Sequence, residues 1–143
     1  MAVGIDRHTT MDSVPAEWFS SHAPLLIVTH IRPDGDAFGS VAGLGLMLRE
    51  NRVACCPYMS TAPGRRYGRV IPPGILENSL SSERLDDFRG IVALDCSNPE
   101  RLDLPKGLGD RWRDMPVLSV DHHPDNHEYG SITVVQPAAA ATA

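Results

Sequence analysis

Leu25-Leu26-Ile27-Val28-Thr29-His30-Ile31-Arg32-Pro33-Asp34-Gly35-Asp36 passes within twelve residues from an unbroken apolar run to a cluster of ionisable side chains. The LLIVT segment shows no alternation and is too short for a helix. It fits a strand buried on both faces of a parallel sheet. Downstream, over residues 39–49, Val41, Leu44 and Leu48 recur at helical spacing, and Gly43 and Gly45 permit close packing. Strand, loop and helix in that order open an α/β fold, with residues 33–36 read as loop.

Further apolar runs extend this reading. Residues 52–58 (RVACCPY) predict a second strand near a sheet edge, where Pro57 is tolerated. Residues 91–94 (IVAL), 117–120 (VLSV) and 131–135 (SITVV) predict three more. The expected fold is therefore a single α/β domain over residues 1–143, Rossmann-like, with a mostly parallel sheet of about five strands flanked by helices. A short amphipathic helix is expected at residues 14–21, with Val14, Trp18 and Phe19 inward and Glu17 outward. Residues 59–80, rich in Gly, Pro and Ser, read as loop, and any helix within 100–114 is broken by Pro105, Gly107 and Gly109. The alanine run at 138–143 reads as the first turn of a helix.

Three predicted strands run into residues suited to metal ligation: the first into His30, Asp34 and Asp36, the third into Asp95, the fourth into Asp121-His122-His123. In an open parallel sheet all carboxyl ends lie on one edge, so these distant residues would converge there. Carboxylates and imidazoles without thiolates suit a borderline or hard divalent ion such as Mn²⁺, and a set of this size can hold two. Two ions about 3.5–4 Å apart lower the pKa of a water and clamp phosphate oxygens during in-line attack. In the PDGD segment, Pro33 stiffens the loop and Gly35 permits an unusual backbone angle, letting Asp34 and Asp36 face neighbouring ions. Gly39 and Ser40, taken as the helix start, would add free N–H groups for phosphate oxygens.

Taken singly, these motifs have ordinary explanations. A lone PDGD is more often a turn, Asp95 alone could cap a helix, and Ser40 has no evident base to make it a nucleophile. Their joint placement at three strand ends is what marks a functional cluster. Arg65, Arg66 and Arg69 could meet substrate phosphate or an RNA backbone, but a solvated loop is the plainer reading. Cys96 reads as a small residue packed near the site rather than a nucleophile, and His8, His22 and His127 lack motifs.

Composition narrows the class. The chain of 143 residues is 42% hydrophobic and 22% charged, as in ordinary globular proteins. A formal charge of −5 and no extended Lys/Arg stripe argue against broad electrostatic attraction to nucleic acid. Two divalent ions would cancel most of that charge locally, so an anionic substrate would meet a neutralised cleft. The N-terminus lacks secretory features and no apolar run reaches the roughly 20 residues of a membrane span. Three cysteines, two of them neighbours, suit a reducing cytoplasm.

The motifs together resemble the DHH phosphoesterase family. THIRPDGDAFGS (residues 29–40) is similar to its first motif, LDCSNPER (94–101) to its second, and VDHHPDN (120–126) to the one that names it. The stretch HEYGSITVVQPAAAATA is similar to the oligoribonuclease and pAp-phosphatase branch. The resemblance implies that His30 and Asp34 hold one ion, Asp36 and His122 the other, and that Asp95 bridges both. It implies catalytic roles for His123, on the scissile phosphate, and for Asp121, which with Asn126 orients the imidazoles. Arg101 is expected to be a structural ion-pair partner near the site. Manganese or another divalent metal is the implied cofactor, and the implied partners are short RNA or a small phosphorylated nucleotide such as pAp. Family members add a fourth metal-binding Asp and a smaller C-terminal substrate domain beyond the DHH motif. This sequence holds neither, so it is expected to be a truncated catalytic domain, with homodimerisation left open. The alternatives are a non-catalytic metal- or nucleotide-binding module, or a relative acting on cyclic dinucleotides, single-stranded DNA or pyrophosphate.

Overall fold

All five strands expected from apolar runs form, and every pairing is parallel. The computed structural model describes residues 14–143 and places β1 at Leu25–Val28, β2 at Cys55–Pro57, β3 at Gly90–Leu94, β4 at Val117–Asp121 and β5 at Ile132–Val135. Their order is β2-β1-β3-β4-β5, in register at Leu26↔Cys56, Leu26↔Ile91, Ile91↔Val117 and Leu118↔Ile132. The chain leaves β1 for β2 on one side and returns to β3 on the other. Strand order therefore reverses at the β1–β3 seam, which opens a crevice beyond the carboxyl ends of those strands. All residues of β1 and β3 are buried, as befits central strands covered on both faces.

Helix α1 (Ala16–Ser21) buries Trp18 and leaves Glu17 exposed, as its pattern predicts. Helix α2 (Gly35–Glu50) starts four residues earlier than its apolar spacing suggests. The cause is Asp34, whose extended backbone and Oδ1, accepting from the Ala37 N–H at 3.0 Å, make it the N-cap. Gly39 and Ser40 consequently lie inside the helix, where the preceding turn takes up their N–H groups, so they offer no free donors to phosphate. Gly35 has an ordinary helical backbone. Its lack of a side chain serves contact instead, since a Cβ there would stand 3.3 Å from Cε1 of Tyr67. Of the two glycines expected to aid packing, Gly45 does so, because a Cβ would collide with the Pro57 ring, whereas Gly43 faces open space.

Residues 59–80 are mainly turns but contain one helical turn, α3 (Gly64–Tyr67), and α4 (Ser82–Leu85) follows. Between β3 and β4 the chain makes only 3-10 turns, at Pro99–Arg101 and Gly109–Asp114. The sheet thus separates two apolar clusters. One face carries Ile27, Val92 and Leu118 against α1 and α2; the other carries Leu26, Ile91 and Val117 beneath Leu102, Leu108 and Trp112. The alanine run does not become a helix: after a turn at Ala138 it continues in irregular conformation to the carboxyl edge of the sheet. The N–H groups of Thr142 and Ala143 donate to the Asp36 carboxylate instead of to a helical turn. Among the described residues no helix is long and apolar enough to cross a membrane. His8 lies outside them.

Candidate metal centre

β1, β3 and β4 deliver the ionisable residues to one edge, as neighbouring parallel strands must. His30 follows β1, bridged to Leu102 and with the Ile31 N–H donating to the Arg101 carbonyl at 2.8 Å. Asp95 follows β3 in the left-handed region (φ 57°), a conformation that Asp tolerates better than most residues and that re-aims its side chain at the strand end. Asp121 ends β4, and His122 and His123 follow it. Asp34 and Asp36 come from the start of α2.

The geometry divides about Asp95. Its Oδ2 stands 3.6 Å from His30 Nε2, which also faces Asp34 Oδ1 at 3.9 Å. Its Oδ1 stands 3.4 Å from His122 Nε2, which faces Asp36 Oδ2 at 3.4 Å. Two potential ligand sets therefore share one buried carboxylate through different oxygens.

Hydrogen bonds assign the imidazole protons. His30 Nδ1 lies 2.7 Å from the Ile31 carbonyl and His122 Nδ1 3.2 Å from the Ala139 carbonyl. A carbonyl can only accept, so Nδ1 is the donor in both rings, and Nε2 is the atom turned toward the carboxylates. An imidazole anchored through Nδ1 with Nε2 pointing into the cluster is oriented as a metal ligand is. His123 differs. Its Nδ1 lies 2.7 Å from Asp121 Oδ1, which also accepts the His122 N–H at 2.8 Å. The hydrogen bond to Asp121 raises the His123 pKa above its usual value, in spite of partial burial. Asp121 Oδ2 accepts from Asn126 Nδ2 at 2.8 Å.

Distance alone groups Asp95, Asp121, His122 and His123 as one potential ligand set, and His30, Asp34 and Asp95 as another. Geometry separates the first group, because Asp121 is turned to His123 Nδ1, the backbone of His122 and Asn126. The carboxylates faced by an imidazole Nε2 are Asp34 and Asp95, from His30, and Asp36 and Asp95, from His122. Burial pushes the Asp95 carboxyl up to about 6, opposed by the Thr142 hydroxyl and reinforced by the charges of Asp36 and Asp34. Burial also acts to raise Asp36, but donors from Thr142, Ala143 and Ser40 outweigh it and hold that carboxyl below its usual range. A buried carboxylate is thus flanked by two others and faced by two imidazole Nε2 atoms. Such a donor set fits divalent cations.

Several supporting residues are not legible from motif spacing. Thr142 donates its N–H to both Asp36 oxygens (3.1 and 2.9 Å) and its hydroxyl to Asp95 Oδ1 at 2.9 Å. Ser40, one helical turn after Asp36, donates to Asp36 Oδ1 at 3.0 Å, a contact that i,i+4 spacing could have suggested. Tyr129 donates its hydroxyl to the Cys96 carbonyl at 2.9 Å and ties the loop after β4 to that after β3. Buried Asp103 accepts the Ser60 N–H at 2.8 Å. The expected ion pair of Arg101 does not form among the described residues. Its side chain is exposed, and its carbonyl holds the His30 loop through Ile31. Cys96 is buried, with burial pushing its thiol up to about 11, and His22 stacks on Trp18 away from the cluster.

Fold and cluster define an α/β protein with a candidate divalent-metal centre at the switch point of a parallel sheet. Residues 24–143 match the N-terminal domain of the DHH family, and the chain belongs to that family. It is 36% identical over 120 residues to the bifunctional oligoribonuclease and PAP phosphatase NrnA of Thermus thermophilus, covering 84% of this chain and 34% of that protein. It is 28% identical over 130 residues to the NrnA protein of Bacillus subtilis, covering 85% and 36%. The chain thus spans about a third of the length of these curated relatives. An exopolyphosphatase-related protein from Bacteroides fragilis shares the fold, with a TM-score of 0.59 and 23% identity over 88% of this chain and 38% of that one.

Proposed function

We propose that this chain is the metal-binding part of a phosphoesterase that hydrolyses phosphate esters of small nucleotides or very short RNA with the help of two divalent ions, Mn²⁺ foremost. One observation carries the two-ion reading: Asp95 presents Oδ2 to His30 and Oδ1 to His122, so a single carboxylate serves two ligand sets. His30 and Asp34 would hold one ion and Asp36 and His122 the other. When bound, such a pair supplies an activated water at neutral pH and neutralises charge on the phosphoryl group. The chain's own residues supply the rest. His123, its Nδ1 held by Asp121, would donate from Nε2 to a phosphate oxygen, and its ring is half-exposed. Asn126 holds Asp121, and the left-handed backbone at Asp95 keeps that carboxylate turned to both sets. The names of the NrnA relatives support short RNA and pAp as the substrates of the complete protein, in which further chain would complete the substrate site. Three free cysteines among the described residues agree with a cytoplasmic setting.

Calorimetric titration with Mn²⁺, joined to nucleotide release from a panel of short oligoribonucleotides and pAp, tests this reading. Two equivalents should bind the wild-type chain, and Asp95→Ala should abolish both the second equivalent and any hydrolysis by the complete protein. Full hydrolytic rate in Asp95→Ala would refute the bridging role. Metal binding with no hydrolysis of any substrate by the complete protein would favour a non-catalytic module.

A further inference from the structure

Three arginines lie on or next to a short helix that packs against the first turn of α2, and they take no part in the cluster. Arg65 and Arg66 are on α3 and Arg69 follows it; all are exposed. A run of charges in a surface loop is ordinarily a solvated face, and two features set this one apart. First, the segment is fastened to the metal-site helix. The Tyr67 ring packs 5.1 Å from Phe38 and so close to Gly35 that a Cβ there would stand 3.3 Å from it. Gly35 lies between Asp34 and Asp36, so the anchor is set directly into the ligand-bearing turn. The Ile71 N–H donates to the Tyr67 carbonyl at 3.1 Å, and Ile71 is buried, which pins the far end. Second, the charges are held but not neutralised. The Arg66 guanidinium sits over the Tyr67 ring at 5.5 Å from its centroid, a cation–π contact that orders the group and leaves its N–H donors free. Arg65, Arg66 and Arg69 have no carboxylate partner among the described residues, as is true of several other arginines, but these three stand within five residues of one another on the segment anchored to α2.

We propose that Arg65, Arg66 and Arg69 form an arm that grips the phosphodiester backbone of a short single-stranded RNA whose terminal phosphate lies in the metal centre. Three exposed guanidiniums within five residues offer an anion a concentrated positive surface, and guanidinium forks match phosphate oxygens. Because Tyr67 of the same segment packs on Gly35, between Asp34 and Asp36, the anion we assign to it is the continuation of the substrate strand. The inference rests on the phosphoesterase reading for the identity of the strand. A bisphosphorylated mononucleotide carries only one phosphate besides the reacting one, whereas an oligonucleotide carries several along its strand, so the arm favours oligonucleotides.

The test is fluorescence anisotropy of the full 143-residue chain with a labelled, hydrolysis-resistant phosphorothioate pentaribonucleotide and, by competition, pAp, in saturating Mn²⁺. Replacing all three arginines by Ala should weaken RNA binding at least tenfold and pAp binding less than twofold. The salt slope of log K should flatten by about 2, since each lost phosphate contact on a single strand accounts for about 0.7. Lys at all three positions should restore the slope. Unchanged RNA affinity, equal loss for both ligands, or failure of the Lys variant to restore the slope would each overturn the arm. A wild-type chain that binds RNA with this salt dependence, from a complete protein that hydrolyses nothing, supports the arm while sinking the phosphoesterase reading.

Discussion

At Asn126 one amide secures the far side of a buried carboxylate. Its Nδ2 donates to Asp121 Oδ2, and its Oδ1 accepts the Glu128 N–H at 2.7 Å. Asn126→Ala would leave a carboxylate oxygen without a partner in a nearly inaccessible position, a loss of about 1–3 kcal/mol. A urea midpoint equal to that of the wild type would show that water replaces the amide at no cost. Cys56 gives the chain a pH dependence outside the cleft. Burial pushes its thiol up to about 11, from an ordinary value of 9.0, partly offset by Arg84. The folded state therefore keeps a proton that the unfolded state releases. Stability from this group is complete below pH 9 and is lost as pH rises toward 11. Cys56→Ala should flatten the fall in urea midpoint over that interval, and parallel profiles for the two proteins would contradict the assignment.

Helix α2 shows how little separates a turn from a helix start. The PDGD segment carries residues that favour turns, and apolar spacing is visible only from Val41 onward, so the first turn of α2 is read as loop from sequence. The capping bond from Asp34 to Ala37 decides otherwise. Along the same helix two glycines predict opposite outcomes. Gly45→Ala would drive a methyl into Pro57 on β2 and should destabilise by about 1–3 kcal/mol through overpacking. Gly43→Ala meets open space and should stabilise by about 0.5–1 kcal/mol through helix propensity. Thermal unfolding of the two variants checks both, and the reverse order would mean that the approach of α2 to β2 is wrongly described.

Across the whole molecule the cluster brings three carboxylates together with too little positive charge, so ligand binding and folding are coupled. Each ion at a hundredfold excess over its dissociation constant should add about 2.7 kcal/mol. For a chain of this size that is a rise in melting temperature of roughly 5–10 °C. Scanning calorimetry with and without Mn²⁺ should show the shift, and Asp95→Ala should lose most of it. An unchanged melting temperature in the wild type would argue that the cluster does not hold metal.

The amino-acid sequence by itself determined the five strands, the class of the sheet and the kinds of donor at three of its ends. Double burial writes an unbroken apolar run into each central strand, and ligand chemistry is a property of residue type. Tertiary structure alone decided which Asp95 oxygen faces which imidazole, that Asp121 and His123 engage each other, that Thr142 reaches Asp36 and Asp95, and that the Tyr67 ring lies against Gly35. These relations join residues as much as 106 positions apart or depend on a single proton's placement. Periodicity and composition are local quantities, whereas convergence of that kind follows from strand order and from competition for each hydrogen bond.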